Sequence, residues 1–299
     1  MTSILVIDDE KVQAEGLAKA LQVRMPHTAV RAAFEEKTIL EQVEDWYYNI
    51  AIVDLRMDNF TIDGIIIIRK ILQVNPFAKI IVVSGYLPDY EDQLEFFKTG
   101  KIIATIEKGD VDAFTQKIVV AIKSVEADYE QNPQLNQNTL ETLFAEAKNE
   151  PNAYQKGLMF EKFVGFLFGQ MGFQHIQKRV IDVSRNEIDL VVRNEIDDLF
   201  FQKFSPYFFI ECKNTSEKVN KGQFVEFEKK LSTSNGLANL GFIVTSNVFT
   251  EEARKEAIRS SKENYKVVFI GQPEIAALIR SNHLLQTLKQ IIDNQVKDN

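Results

Sequence analysis

Two sets of charged residues stand where apolar strands are expected to end, and both sets are of types that do chemistry. The first comprises Asp8 and Asp9 after SILVI (3–7), Asp54 closing NIAIVD (49–54), Ser84 closing KIIVVS (79–84) and Lys108 after IIATIE (102–107). Open parallel α/β sheets bind ligands at the carboxyl ends of their strands, so three carboxylates, a hydroxyl and an ammonium in that register describe a site. Carboxylates brought together repel unless a cation joins them, which implies a hard divalent ion such as Mg²⁺. One aspartate can then act as nucleophile towards phosphate while the metal and Lys108 neutralise the developing charge.

The second set begins with YFFIECKN (207–214), an apolar strand that ends in Glu211 and Lys213. Alternation puts Phe209, Glu211 and Lys213 on one face and Phe208, Ile210 and Cys212 on the other. A carboxylate in an interior is costly without a counter-charge. Asp189 interrupts a second apolar strand within SRNEIDLVVRN (184–194), and Glu161 lies on the helix GLMFEKFVGFLFGQMGF (157–173). That helix is apolar nearly all round and is therefore predicted to be buried. A metal between Asp189 and Glu211, approached from the helix by Glu161, would answer all three acids.

The elements that must position these groups divide into two halves. The first ~125 residues alternate Ile/Val-rich runs, including AVRAA (29–33), with amphipathic stretches, a pattern expected of a parallel sheet covered on both faces. The polar ADYEQNPQLNQN (127–138) reads as a linker between a domain at 1–126 and one at 139–299. The second half reads as helices, strands, then strand–helix–strand–helix, with 290–299 expected to fray. The chain has 299 residues, 45% hydrophobic and 26% charged, which is enough for two ordinary domains. No apolar run reaches membrane-spanning length. The start, MTSILVIDDE, is not expected to be a signal peptide, and one cysteine fits a reducing, cytoplasmic setting. His27, His175 and His283 show no metal-ligand spacing.

The net charge of −8 is unevenly shared: residues 1–130 hold 14 Lys and Arg against 22 Asp and Glu, and 131–299 hold 21 against 21. A nucleic-acid partner is therefore sought in the second half. Its zero balance argues against tight non-specific binding, because phosphate contacts need cations. Lys203, Lys218, Lys221, Lys229 and Lys230 nevertheless gather around the second set.

The first constellation resembles the receiver domain of two-component response regulators, a flavodoxin-like doubly wound parallel sheet. The resemblance implies Asp8 and Asp9 as the acidic pair, Asp54 as phospho-acceptor, the backbone carbonyl of Arg56 as a metal ligand, Ser84 as the switch hydroxyl and Lys108 as the lysine of the site. It also implies a histidine kinase or small phosphodonor as partner. DLRMDNFTIDG lacks the family's proline and has two extra residues before Asp63-Gly64, Gly109 follows Lys108, and Thr105 stands where the switch aromatic belongs.

The order Glu…Asp…Glu-x-Lys resembles the PD-(D/E)xK nucleases, and most closely their Mrr-type restriction endonucleases. The match covers GLMFEKFVGFLFGQMGF, IDL (188–190), ECK (211–213) and GFIVTSNVFTEEA (241–253), where Thr250 is predicted to cap a helix. It implies an α/β domain in which Asp189, Glu211 and the Cys212 carbonyl hold Mg²⁺, or Mn²⁺ in its place. Lys213 would serve the attacking water and Glu161 would assist. Gln223 is a further candidate against the plainer reading of a surface glutamine, and Phe224, Phe227 and the Cys212 side chain read as packing. Two function classes follow: a phosphorylation-controlled, Mg²⁺-dependent DNA endonuclease, with RNA left open, or the same fold as a non-catalytic module that binds DNA or protein. Concerted cutting of a duplex implies a homodimer, and residues 86–123 are the expected pairing region of a receiver.

Overall fold

Runs of Ile and Val with no polar alternation become strands buried on both faces. β1 (Ser3–Ile7) and β3 (Ile50–Asp54) are buried at every position. They lie at the centre of a five-stranded parallel sheet with β2 (Ala29–Ala33), β4 (Lys79–Ser84) and β5 (Ile102–Glu107), in the order β2-β1-β3-β4-β5. The computed structural model describes residues 2–85, 90, 100–131, 133–181, 187–260 and 264–297. It divides into two units, Met1–Asn132 and Pro133–Asn299.

One face of the first sheet packs on Ile39 and Val43 of α2 (Glu36–Asp45) and on Ile65, Ile67, Ile68 and Ile71 of α3 (Gly64–Val74). The other packs on Leu21 of α1 (Lys11–Arg24) and on Ile118, Val119, Ile122 and Val125 of α4 (Val111–Gln131). The strand order reverses between β1 and β3, so the ends of these strands border the crevice where ligands of such sheets bind. Trp46 stacks on Tyr48 with ring centroids 6.1 Å apart, and the Arg31 guanidinium lies 3.5 Å over the Trp46 ring.

Asp63 caps α3 by accepting the Ile66 N–H at 2.9 Å. Gly64 follows because the loop returns against β3: a Cβ there would lie 2.1 Å from the Asp54 carbonyl oxygen and 2.7 Å from the Leu55 Cα. The pair Asp63-Gly64 thus locks the start of α3 beside the strand end that carries Asp54.

The second unit begins with α5 (Pro133–Asn149) and α6 (Ala153–Gln170). Its sheet, in the order β10-β9-β8-β7-β6, is mixed. β6 (Ile176–Ile181), β7 (Glu187–Arg193) and β8 (Tyr207–Lys213) pair antiparallel, whereas β8, β9 (Ala238–Thr245) and β10 (Lys266–Ile270) pair parallel. β8 is central and is where direction changes. Its alternation is the one expected. Phe208 lies with Phe168, Phe173 and Phe242 at ring distances of 4.9–6.1 Å, on the side of α6. Phe209 lies with Phe224 and Phe227 of α7 (Lys221–Ser232), against Ile243 and Phe269. Thr250 caps α8 (Glu251–Arg259) through the Ala253 N–H at 3.2 Å. The chain ends in α9 (Gln272–Ile279) and α10 (Leu284–Lys297).

The boundary between the two units, Asn132/Pro133, falls inside the expected linker 127–138, and the described residues of that stretch are helical, since α4 runs to Gln131 and α5 starts at Pro133. Asn, Gln and Glu do not break a helix, and proline is well suited to the first helical position, where its missing N–H costs nothing. The tail from 290 is helical to Lys297, because Leu288, Ile291 and Ile292 form a buried i, i+3, i+4 stripe. Of the expected receiver pairing region, residues 86–89 and 91–99 lie outside the described residues. No described helix is long and apolar enough to cross a membrane.

Candidate functional site

In the first unit, β1 delivers Asp8 and Asp9, β3 delivers Asp54, and the turn after β5 delivers Lys108. One carboxylate oxygen from each of the three aspartates lies within 4.8 Å of the others. Lys108 Nζ donates to Asp8 Oδ2 at 2.7 Å, to Asp54 Oδ2 at 2.7 Å and to Gln13 Oε1 at 2.8 Å. The Lys108 N–H donates to the Ser84 carbonyl at 2.9 Å, which fixes β4 beside the lysine. Asp54 Oδ1 accepts the Arg56 N–H at 3.3 Å, Asp8 Oδ1 accepts the Glu10 N–H at 2.9 Å, and Asp9 Oδ2 accepts both donors of Asn59 at 2.9 Å.

Burial is the main reason the Asp54 carboxyl titrates above its ordinary range, with the Asp8 charge adding to it and Lys108 opposing. Burial also disfavours the Lys108 ammonium, but Asp54 and Asp8 outweigh it and hold its pKa above the usual lysine value. The group is a set of oxygen donors with one cation among them, and it suits a hard divalent ion. Ser84 is buried and Thr105 is exposed.

In the second unit Asp189 and Glu211 come from adjacent antiparallel strands, since Leu190 pairs with Ile210. Asp189 Oδ2 accepts the Cys212 N–H at 2.7 Å. Glu211 is buried and carries an ammonium on each oxygen: Lys213 Nζ on Oε1 at 2.7 Å and Lys230 Nζ on Oε2 at 2.8 Å. Glu161, from α6, is held in a fork by Arg179, Nε to Oε2 at 3.0 Å and Nη2 to Oε1 at 3.1 Å. The end of β8 is pinned by Asn214, which donates to the Ala147 and Lys156 carbonyls at 2.8 and 2.9 Å and accepts from Ser246 Oγ at 2.6 Å.

Burial, then the nearby Glu211 and Glu161 charges, push Asp189 up to about 6. Burial works against the Lys213 charge, yet Glu211 and Asp189 hold its pKa above the ordinary value, so it is an ammonium at neutral pH. Burial and the surrounding carboxylates push the Cys212 thiol well up, which suits packing and not nucleophilic attack. Asp189 and Glu211 are oxygen donors of the type a hard divalent ion takes, but among the described residues only Asp8, Asp9 and Asp54 bring three such donors within 4.8 Å of one another.

The structure brings Asp189, Glu211 and Lys213 to one strand end, with Glu161 close enough to act on Asp189 through its charge. Gln223 is otherwise engaged: its side chain accepts the Asn220 N–H at 3.0 Å, and its own N–H donates to Asn220 Oδ1 at 3.2 Å, a capping box on α7. Lys221 pairs with Glu256, away from Glu211. Sequence reasoning missed Arg179, whose φ of +52° is rare for a residue with a side chain and which no local motif announces. It placed Lys230 in a general basic cluster without seeing its contact with Glu211.

Residues 4–112 match the family model of the response regulator receiver domain. Residues 154–279 match that of the Mrr_cat restriction endonuclease. No curated protein matches the chain. Similar solved structures include a CheY-like receiver domain protein from Methanospirillum hungatei, 20% identical, covering 44% of this chain and 98% of that one with a TM-score of 0.38. Another is a response regulator from Burkholderia pseudomallei with a phosphorylated aspartic acid, calcium ion and citrate (23%; 50% and 88%; 0.35). A third is TrrA from Thermotoga maritima with Mg²⁺ and beryllofluoride (24%; 40% and 99%; 0.34). The first unit thus resembles a response regulator receiver domain over residues 4–112, and the second resembles an Mrr_cat restriction endonuclease domain over residues 154–279.

Proposed function

We propose that this chain is a phosphorylation-controlled response regulator whose output is Mg²⁺-dependent cleavage of DNA phosphodiesters. The observation that carries the reading is the convergence of buried Glu211, Asp189 with its pKa raised to about 6, and the ammonium of Lys213 at one end of β8. Perturbed acids beside a fixed cation are what metal-assisted hydrolysis requires.

In the receiver, Asp54 is the nucleophile. Its carboxylate oxygen bonds to the phosphorus of a kinase histidine or a small phosphodonor as the bond to the leaving group breaks. Asp8, Asp9, Asp54 and the Arg56 carbonyl would hold Mg²⁺, which would supply charge to offset the phosphoryl group. Lys108 neutralises the acyl phosphate, and Ser84 takes up its oxygen. Thr105, exposed where the family has an aromatic, offers no ring at that position to couple the site to the output surface. In the nuclease, Asp189, Glu211 and the Cys212 carbonyl would hold Mg²⁺ or Mn²⁺, which would supply the acidification of water and polarisation of the phosphate. Lys213 would orient the attacking water and offset charge developing on the phosphate. Glu161, tied to Arg179, holds the side of α6 against the site.

One such site cuts one strand, so duplex cleavage calls for two copies facing opposite strands, and we assign the working form as a homodimer in the cytoplasm. The test is plasmid digestion with Mg²⁺ or Mn²⁺, with and without acetyl phosphate, alongside sedimentation. Cleavage that depends on Lys213 supports the reading; a strict monomer that cuts both strands together removes the dimer. Retained DNA or protein binding with no cleavage under any of these conditions would turn the assignment to a non-catalytic module, a reading favoured by the cations already seated on Glu161 and Glu211.

A further inference from the structure

The nuclease site is balanced by its own side chains. Glu161 has Arg179, and Glu211 has an ammonium on each of its two oxygens. The two lysines on Glu211 are not equivalent. Lys213 is two residues along the same strand, so it stays beside Glu211 whatever else binds. Lys230 reaches across from the last turn of α7, and its ammonium also donates to the Glu187 carbonyl at 2.6 Å. It can therefore release Glu211 and remain seated at the mouth of β7.

We propose that Lys230 is a positioning residue that competes with the metal for Glu211. The proposal rests on the metal-dependent nuclease reading above. A divalent ion ligated by Asp189 and Glu211 must take a Glu211 oxygen that an ammonium now holds, and like charges at contact distance repel strongly in a half-buried site. Lys230, with an acceptor waiting at Glu187, is the cation that gives way. Adding a +2 ion to a site already neutralised by its own cations leaves excess positive charge, which a phosphodiester backbone then offsets. Lys230 thus links metal affinity to the presence of nucleic acid: weak metal binding alone, stronger with the polyanion, by a reciprocal coupling.

The test is Mn²⁺ binding to the full chain carrying Asp8→Asn and Asp9→Asn, so that the receiver does not contribute, followed by paramagnetic resonance of free Mn²⁺. Lys230→Met keeps the stem and removes the charge. Without DNA it should bind Mn²⁺ about tenfold more tightly than the Lys230 chain, the effect of one charge at contact distance. Lys230→Arg should restore the weaker binding, and thermal melting of each variant checks that both fold. A duplex oligonucleotide should raise Mn²⁺ affinity several-fold in the Lys230 chain and less in Lys230→Met. Unchanged or weaker Mn²⁺ binding by a folded Lys230→Met overturns the proposal. Binding that Asp189→Asn leaves intact overturns the metal-site reading itself, and the competition with it.

Discussion

The two sites of this chain hold three carboxylates each and neutralise them differently. In the first unit one ammonium, Lys108, bridges Asp8 and Asp54, while Asp9 is held by the neutral Asn59, so three acids face each other with one cation among them in the described residues. In the second unit Glu161 and Glu211 have cations of their own, and among the described residues Asp189 has a backbone N–H and the Lys213 field. The receiver site is left short of positive charge and is ready for a divalent ion. The second site already has a cation on two of its three carboxylates.

This contrast can be broken most sharply at Asp54. Asp54→Asn should abolish incorporation of phosphate from acetyl phosphate, measured by intact mass, while leaving the nuclease residues untouched. Labelling that persists in the variant removes the receiver half of the comparison. Next is Lys213→Ala, expected to slow plasmid cleavage about 10²–10³-fold, the usual effect of deleting one charge-stabilising donor. Circular dichroism should show the fold intact, and normal cleavage would end the role given to Lys213.

Gly64→Ala acts on the receiver alone. Its Cβ would meet the Asp54 carbonyl oxygen at 2.1 Å, so the variant should lose about 3 kcal/mol, the upper range of overpacking costs. Calorimetry should show one transition shifted down and the other unmoved; a single shifted transition would mean the units unfold together. Asp189 offers the opposite effect. Its pKa rises from 3.8 to about 6 on folding, so the native state is penalised above pH 6 and the penalty fades as pH falls from 6 towards 4. Asp189→Asn, which can still accept the Cys212 N–H, should stabilise the metal-free chain by about 1–2 kcal/mol at pH 7.5 and by nothing at pH 4. A loss of stability at pH 7.5 would show that the carboxylate is structural. The smallest effect is assigned to Gln223→Ala, about 0.5–1 kcal/mol for half of a capping box. Its cleavage rate should stay within twofold, and a larger fall would return Gln223 to the catalytic group.

The receiver strands were legible because their unbroken Ile/Val runs, each ending in a polar residue, have few other meanings. β8 was legible for the same reason, and the alternation of Phe208 with Phe209 separated its two faces, while which helix each meets needed the structure. The helical stretch around Pro133 was misread because polar residues and proline suggest a break only when proline falls inside a helix, and here it starts one. The capping box of Asn220 and Gln223 was not read, because Gln223 was weighed only as a catalytic candidate or a surface glutamine. Arg179 was not legible: it finds Glu161 through the approach of β6 to α6 and through a backbone angle that no neighbour requires. Lys230 likewise meets Glu211 only once α7 has docked on the sheet.

The chain has one tryptophan and one cysteine, and the fold puts them in different units. Trp46 sits under the Arg31 guanidinium in the receiver, so its fluorescence reports the packing of that unit and of no other. Cys212 lies half-buried on β8 between Glu211 and Lys213, its thiol held protonated by burial and neighbouring carboxylates. It should react slowly with a thiol probe while those neighbours stay in place, and faster when they move. Emission at one residue and alkylation at the other therefore give two clocks in a single unlabelled molecule, and their agreement or divergence after phosphorylation would time the passage of a signal from the first unit to the second.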